Sequence, residues 1–184
     1  MNYTESLAYL DSLGKFGIKL GMERIEGLLR ELGNPEQKIK TVHVTGTNGK
    51  GSVTSMITNI LLAANLKVGK FTSPHLVKYN ERINLNGKDI SDEDFATAIT
   101  AVKVAADSVV KKGVCEQPTQ FEILTAAAFL YFYLQKVDYA GGQRYYQCCA
   151  GPYRPLRQNA GAHCYAEGRH YQGEGASGYC CRGQ

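Results

Sequence analysis

The stretch Val44-Thr45-Gly46-Thr47-Asn48-Gly49-Lys50-Gly51-Ser52 restricts the fold of this chain more than any other. It follows Thr41-Val42-His43-Val44-Thr45, a short β-branched run that reads as a strand. It precedes Val53, Met56, Ile57, Ile60, Leu61 and Ala64, which recur at helical spacing. Strand, glycine-rich turn and helix in that order form the setting a phosphate-binding loop requires. Glycines let the backbone turn tightly, so that successive N–H groups can point at phosphate oxygens. The helix start adds partial positive charge. Lys50 would reach the terminal phosphates and Ser52 a Mg²⁺ ion. The spacing departs from the common GxxxxGK[ST] pattern, because Val44 stands six residues before Lys50 and Gly51 separates Lys50 from Ser52. Taken alone, these residues leave open a glycine-rich turn carrying an exposed lysine.

The surrounding pattern continues the alternation. Leu7, Leu10 and Leu13 mark a first helix over Tyr3 to Leu13; Met22, Ile25, Leu28, Leu29 and Leu32 mark a second, stopped by Gly33-Asn34-Pro35. Lys67 to Phe71 reads as a strand. Arg82 to Leu85 followed by Asn86-Gly87 reads as a hairpin with a two-residue turn. Ser91 caps a helix with Asp92, Glu93 and Asp94 in its first turn. Phe121 to Leu134 is a strongly apolar helix, and Val137 to Ala140 opens another strand. The expected fold class is therefore α/β, a mostly parallel sheet flanked by helices and carrying the phosphate loop.

At Gly141 the composition changes. Residues 141–184 hold no Val, Ile, Phe, Met, Thr, Asp or Lys, and five of the six cysteines of the 184-residue chain. Such a segment buries little apolar surface. It reads either as an irregular, disordered tail or as the product of a shifted reading frame, so residues 1–140 are taken as one domain and 141–184 as an atypical appendage; the resemblance given below implies that the first is an incomplete N-terminal ATP-binding domain. Adjacent cysteines rarely both reach one tetrahedral ion, so Cys148-Cys149 and Cys180-Cys181 argue against a zinc site. The net charge of +4, mixed in sign along the chain, points to neither nucleic acid nor a membrane surface as partner. The absence of an apolar h-region at the start and of a 20-residue apolar run makes a cytoplasmic location the expectation.

Thr45-Gly46-Thr47-Asn48-Gly49-Lys50-Gly51-Ser52 resembles the loop of the Mur ligase superfamily. Three further segments narrow the resemblance to the folylpolyglutamate synthase and dihydrofolate synthase family. They are Gly17 to Arg24, Phe71 to Leu76 with Tyr79 to Ile83, and Pro118-Thr119-Gln120-Phe121-Glu122. The resemblance implies an enzyme that uses ATP and Mg²⁺ to join L-glutamate to a folate through an acyl phosphate. Phosphorylation turns a poor electrophile, the carboxylate, into one with a good leaving group. It implies ATP phosphate contacts from Thr47, Asn48, Gly49, Lys50, Gly51 and Ser52, with Lys50 as the catalytic cation. It implies Mg²⁺ at Ser73 and Ser52, and folate contacts at Ile18, Lys19, Leu20, Thr119, Gln120 and Phe121. His75, Glu81 and Glu122 receive no catalytic role.

The family's E-V-G-x-G-G segment, its metal-binding His, its modifiable Lys and its C-terminal domain find no match in residues 141–184. The resemblance therefore implies little or no ligase turnover by this chain, which is expected to act as a monomer. Dihydrofolate synthase activity of the same family and a non-catalytic nucleotide-binding fragment are the alternatives.

Overall fold

A computed structural model describes residues 1–14, 21–46, 48–143 and 163–165. Among them, in chain order, are α1 (Tyr3–Leu13), α2 (Glu23–Glu31), β1 (Lys40–Thr45), α3 (Lys50–Ala63), β2 (Val68–Phe71), β3 (Ile83–Leu85), β4 (Lys88–Asp89), α4 (Asp92–Lys111), α5 (Gln120–Leu134), β5 (Tyr139–Gln143) and β6 (His163–Tyr165). Short 3-10 turns occupy Pro35–Lys38 and Tyr79–Arg82. The chain divides into two compact units. One is Met1–Lys38 with Ile90–Gln135, the other Ile39–Asp89 with the described residues from Lys136 on.

The first unit is helical. Helices α1 and α2 pack on α4 and α5, and α4 packs on α5. The sequence sets each start. Asn2 caps α1 in a reciprocal box with Glu5, Ser91 caps α4, and Thr119 caps α5 in a box with Glu122. Ten of the 15 residues of α5 are buried, so this helix is wrapped on nearly every side, as its uniform apolarity requires. Phe129 and Phe132 are fully buried and each contributes about 1.5–3 kcal/mol by leaving water. Arg24 and Glu122 are also buried, and their Nε–Oε2 distance of 3.2 Å makes them an ion pair.

The second unit is a six-stranded sheet in the order β4-β3-β2-β5-β1-β6. The three central strands β2, β5 and β1 run parallel, as the alternation of strand and helix predicts. The flanking pairs are antiparallel. For β3 and β4 the reason is local: Asn86 at φ 51° and Gly87 at φ 82° form a two-residue turn with both residues left-handed, which returns the chain antiparallel. Asn86 Oδ1 also accepts from the Val68 N–H at 2.8 Å, tying the turn to β2.

Helix α3 packs on β1, β2 and β5, with Ile57 buried against Val42 and Val44. Its buried face differs from the expected one. Met56 and Ile60 are 62% and 66% exposed, and Thr54 and Thr58 are buried instead. Their hydroxyls donate to the carbonyls of Lys50 and Thr54, each at 2.8 Å, so the two threonines meet the sheet with no unpaired O–H.

The boundary expected at residue 140 falls inside β5. Gly141 to Gln143 pair with Val42 to Val44 of β1, and Gly141 and Gly142 also pair with Lys70 and Phe71 of β2. A central strand receives hydrogen bonds from both neighbours, and here that outweighs the poor strand propensity of two glycines. Beyond residue 143 one short strand is described. His163–Tyr165 forms β6, antiparallel to His43–Thr45, and pairs the outer edge of β1.

Candidate functional site

Parallel pairing fixes where the nominated residues gather. Val44 lies level with Gln143 and Phe71 with Gly142, so β1 and β2 end together on either side of β5. The loops that follow them leave the same edge of the sheet, two strand spacings or about 10 Å apart. In open α/β sheets that carboxyl edge is where ligands bind.

The loop after β1 has the backbone its glycines predict. Gly46 sits at φ 146° and Gly49 at φ 75°, left-handed values that other residues rarely adopt. Gly49 is the N-cap of α3 and makes no side-chain cap hydrogen bond, and the first turn holds no acidic residue. Lys50 Nζ donates to the Gly46 carbonyl at 2.6 Å, so the ammonium folds back over the loop. Asn48, Gly49 and Ser52 are exposed, and Gly51 and Lys50 are half-buried. Lys50 and Asn48 to Ser52 thus come together at one helix start. Thr47 lies outside the described residues.

The loop after β2 is braced from within. Glu81 accepts from the N–H groups of Leu76, Val77 and Lys78, each at 2.8 Å. Those backbone donors, Leu76 first, hold its carboxyl below the usual range. Arg82 donates through Nε to His75 Nδ1 at 2.7 Å and through Nη1 to Ser73 Oγ at 3.3 Å. Burial, and then the charge of Arg82, push the His75 pKa down. The side chains of Leu76 and Val77 stand out in solvent. Ser73 is therefore placed at the expected edge, and Arg82 and Glu81 are the residues that sequence reasoning passed over. Glu81-Arg82 was visible as a motif, but nothing in its spacing tells that both side chains reach back along the loop.

Among the described residues no group of three or more His, Cys, Asp or Glu gathers as a metal site. The hydroxyls of Ser52 and Ser73 are neutral, hard oxygen donors. They fit a Mg²⁺ that arrives already bound to phosphates, since that ion keeps most of its ligands as water and phosphate oxygen.

The residues nominated for folate lie in the helical unit. Thr119 is buried, with its N–H and hydroxyl both donating to Glu122 Oε2 at 2.7 and 2.8 Å. Gln120 Nε2 donates to the Leu10 carbonyl at 3.1 Å, and Phe121 is half-buried. Ile18, Lys19 and Leu20 lie outside the described residues.

Comparison with known proteins adds a family. No protein-family model matches the chain. The dihydrofolate synthase/folylpolyglutamate synthase of Bacillus subtilis is 44% identical to it over 140 residues, which cover 74% of this chain and 32% of that protein. By that stretch the chain belongs to the folylpolyglutamate and dihydrofolate synthase family. It spans about a third of the length of the Bacillus subtilis protein and of the Lacticaseibacillus casei folylpolyglutamate synthase. The folds agree as well. The folylpolyglutamate synthetase of Lactobacillus casei superposes with a TM-score of 0.75 at 37% identity, over 82% of this chain and 38% of that one. The Mycobacterium tuberculosis folylpolyglutamate synthase complexed with ADP gives 0.70 at 30% identity, over 77% and 32%. The described helices include none long and apolar enough to cross a membrane.

Proposed function

We propose that this chain carries the nucleotide-binding part of an ATP-dependent ligase that adds L-glutamate to a folate. One observation supports the reading most directly. At the carboxyl end of a parallel strand stands a helix start with no side-chain cap, a left-handed glycine at its N-cap and a lysine ammonium folded over the loop. The amides of that turn and the Lys50 ammonium would hold terminal phosphates as ATP passes its γ-phosphoryl group to the folate carboxylate. Asn48, Gly49, Gly51 and Ser52 belong to the same cradle, with Thr47 assigned to it by sequence. Ser52 and Ser73 would hold Mg²⁺, which when bound neutralises charge crowded on the phosphates. Thr119, Gln120 and Phe121, with Ile18, Lys19 and Leu20, are proposed to face the folate. The two segments 1–140 and 141–184 are proposed as an ATP-binding domain and an appendage that gives six described residues to its sheet, 141–143 in β5 and 163–165 in β6.

The test is calorimetric titration of ADP with Mg²⁺ into the full chain and into a Lys50→Ala variant. Binding by the parent and at least tenfold weaker binding by the variant are expected, since a charge-assisted contact contributes about 1.5–3 kcal/mol. Equal binding by both, or none by the parent, overturns the reading. The double name of the Bacillus subtilis relative favours a second acceptor, dihydropteroate. Acceptor-dependent ADP release, measured with each acceptor in turn, separates the two activities.

A further inference from the structure

Arg82 ends the 3-10 turn Tyr79–Arg82 and leads into β3, yet its side chain serves the loop before that turn. Its fork holds two acceptors at once, His75 Nδ1 at 2.7 Å and Ser73 Oγ at 3.3 Å. Its guanidinium carbon lies 5.4 Å from the centre of the Tyr79 ring, and that ring packs 4.3 Å from the His75 ring, centre to centre. The loop's other brace, Glu81, fixes the backbone amides of Leu76, Val77 and Lys78. A serine hydroxyl has three staggered positions to choose among, and Arg82 selects one. A hydroxyl oxygen offers two acceptor lone pairs. The Nη1–H takes one and leaves one. With Nδ1 accepting, the imidazole carries its hydrogen on Nε2.

We propose that Arg82 is a positioning residue of the nucleotide site, holding the Ser73 hydroxyl and the His75 ring in the one arrangement that a Mg²⁺-bound nucleotide meets. The proposal rests on the reading of the phosphate loop given above. It also accounts for the choice of arginine. A lysine carries the same charge but lacks the planar fork that spans two acceptors. The guanidinium beside Ser73 Oγ disfavours a bare divalent cation there by like-charge repulsion, and the negative phosphates of a metal-bound nucleotide relieve that repulsion.

The experiment uses the full chain and measures ADP binding by calorimetry with and without Mg²⁺. The ratio of the two affinities is the readout, because a general loss of structure would weaken both. In the parent, Mg²⁺ is expected to strengthen ADP binding. In Arg82→Gln and Arg82→Lys that gain should shrink about tenfold, with no rescue by the lysine. Ser73→Ala should lose the same gain, and adding Arg82→Lys to it should change nothing more. Long-range ¹H–¹⁵N correlation spectra of the parent should show the His75 Nδ1 without a hydrogen, a measurement that needs no variant to fold. An unchanged Mg²⁺ gain in both Arg82 variants, or a hydrogen on Nδ1, overturns the proposal while Lys50-dependent ADP binding stands. Absence of ADP binding by the parent, or its persistence in Lys50→Ala, overturns the phosphate-loop reading and the proposal with it.

Discussion

Helix α5 begins on Thr119, whose hydroxyl and N–H both donate to Glu122, which in turn meets the buried guanidinium of Arg24. Helix α3 begins on Gly49, with no side-chain cap and no acidic residue in its first turn. Both helices have the same four backbone N–H groups to satisfy and the same dipole. In α5 two of them are answered from within: the Glu122 carboxylate accepts the Thr119 N–H, and the Thr119 hydroxyl accepts the Glu122 N–H. In α3 the N-cap is a glycine, which has no side chain to cap with, and a lysine follows it, an arrangement that suits the anion proposed above.

Four changes test that contrast, the largest first. Glu122→Ala should destabilise the helical unit by about 3–5 kcal/mol, because it takes the carboxylate of a buried ion pair from Arg24 and opens the capping box of α5; urea unfolding followed by circular dichroism measures it. A loss under 1 kcal/mol would mean that α5 does not depend on its internal carboxylate. Gly49→Ala comes next. Among the described residues beyond its own neighbours and helix backbone, no atom lies within 4 Å of the position a Cβ would take, so the left-handed backbone sets the cost. The cost should be about 1–2 kcal/mol, read from the shift in urea midpoint.

Ser52→Glu sharpens the comparison by moving stability and binding in opposite directions. A carboxylate in the first turn of α3 should stabilise the fold by about 0.3–1 kcal/mol. The same charge should repel phosphate, and ADP binding by calorimetry should fall. A gain in both quantities would refute the view of this helix start as an anion site. The smallest effect concerns His43, on the strand that feeds the loop. Burial depresses its pKa. The folded state therefore resists protonation more than the unfolded chain does. Stability attributable to this group is complete above pH of about 6.5 and declines as pH falls below that value toward the folded pKa. His43→Gln should flatten the thermal midpoint between pH 7 and pH 5; a parent whose midpoint does not drop over that interval would contradict the assignment.

Much of this was legible in residues 1–140. Each capped helix start was written in adjacent residues, Ser91 before Asp92 or Thr119 before Glu122, because capping acts over three positions. The Asn86-Gly87 turn was equally local. The inner face of α3 was not legible. Apolarity nominated Met56 and Ile60, but threonines whose hydroxyls bond back along the helix can face a sheet, and periodicity cannot see that bond. Nor could composition show that β5 runs on through Gly141 and Gly142, since those residues gain their strand conformation from partners on two sides.

The sequence by itself determined the glycine turn after β1, the capped helix starts and the family, because each depends on residues a few positions apart or on an unbroken string of matches. Only the tertiary structure decided that β1 and β2 end level on either side of β5, and that Arg82 reaches back to Ser73 and His75. Strand register and a side chain's choice among acceptors are fixed by cooperative pairing across the chain, where no local preference dictates the outcome.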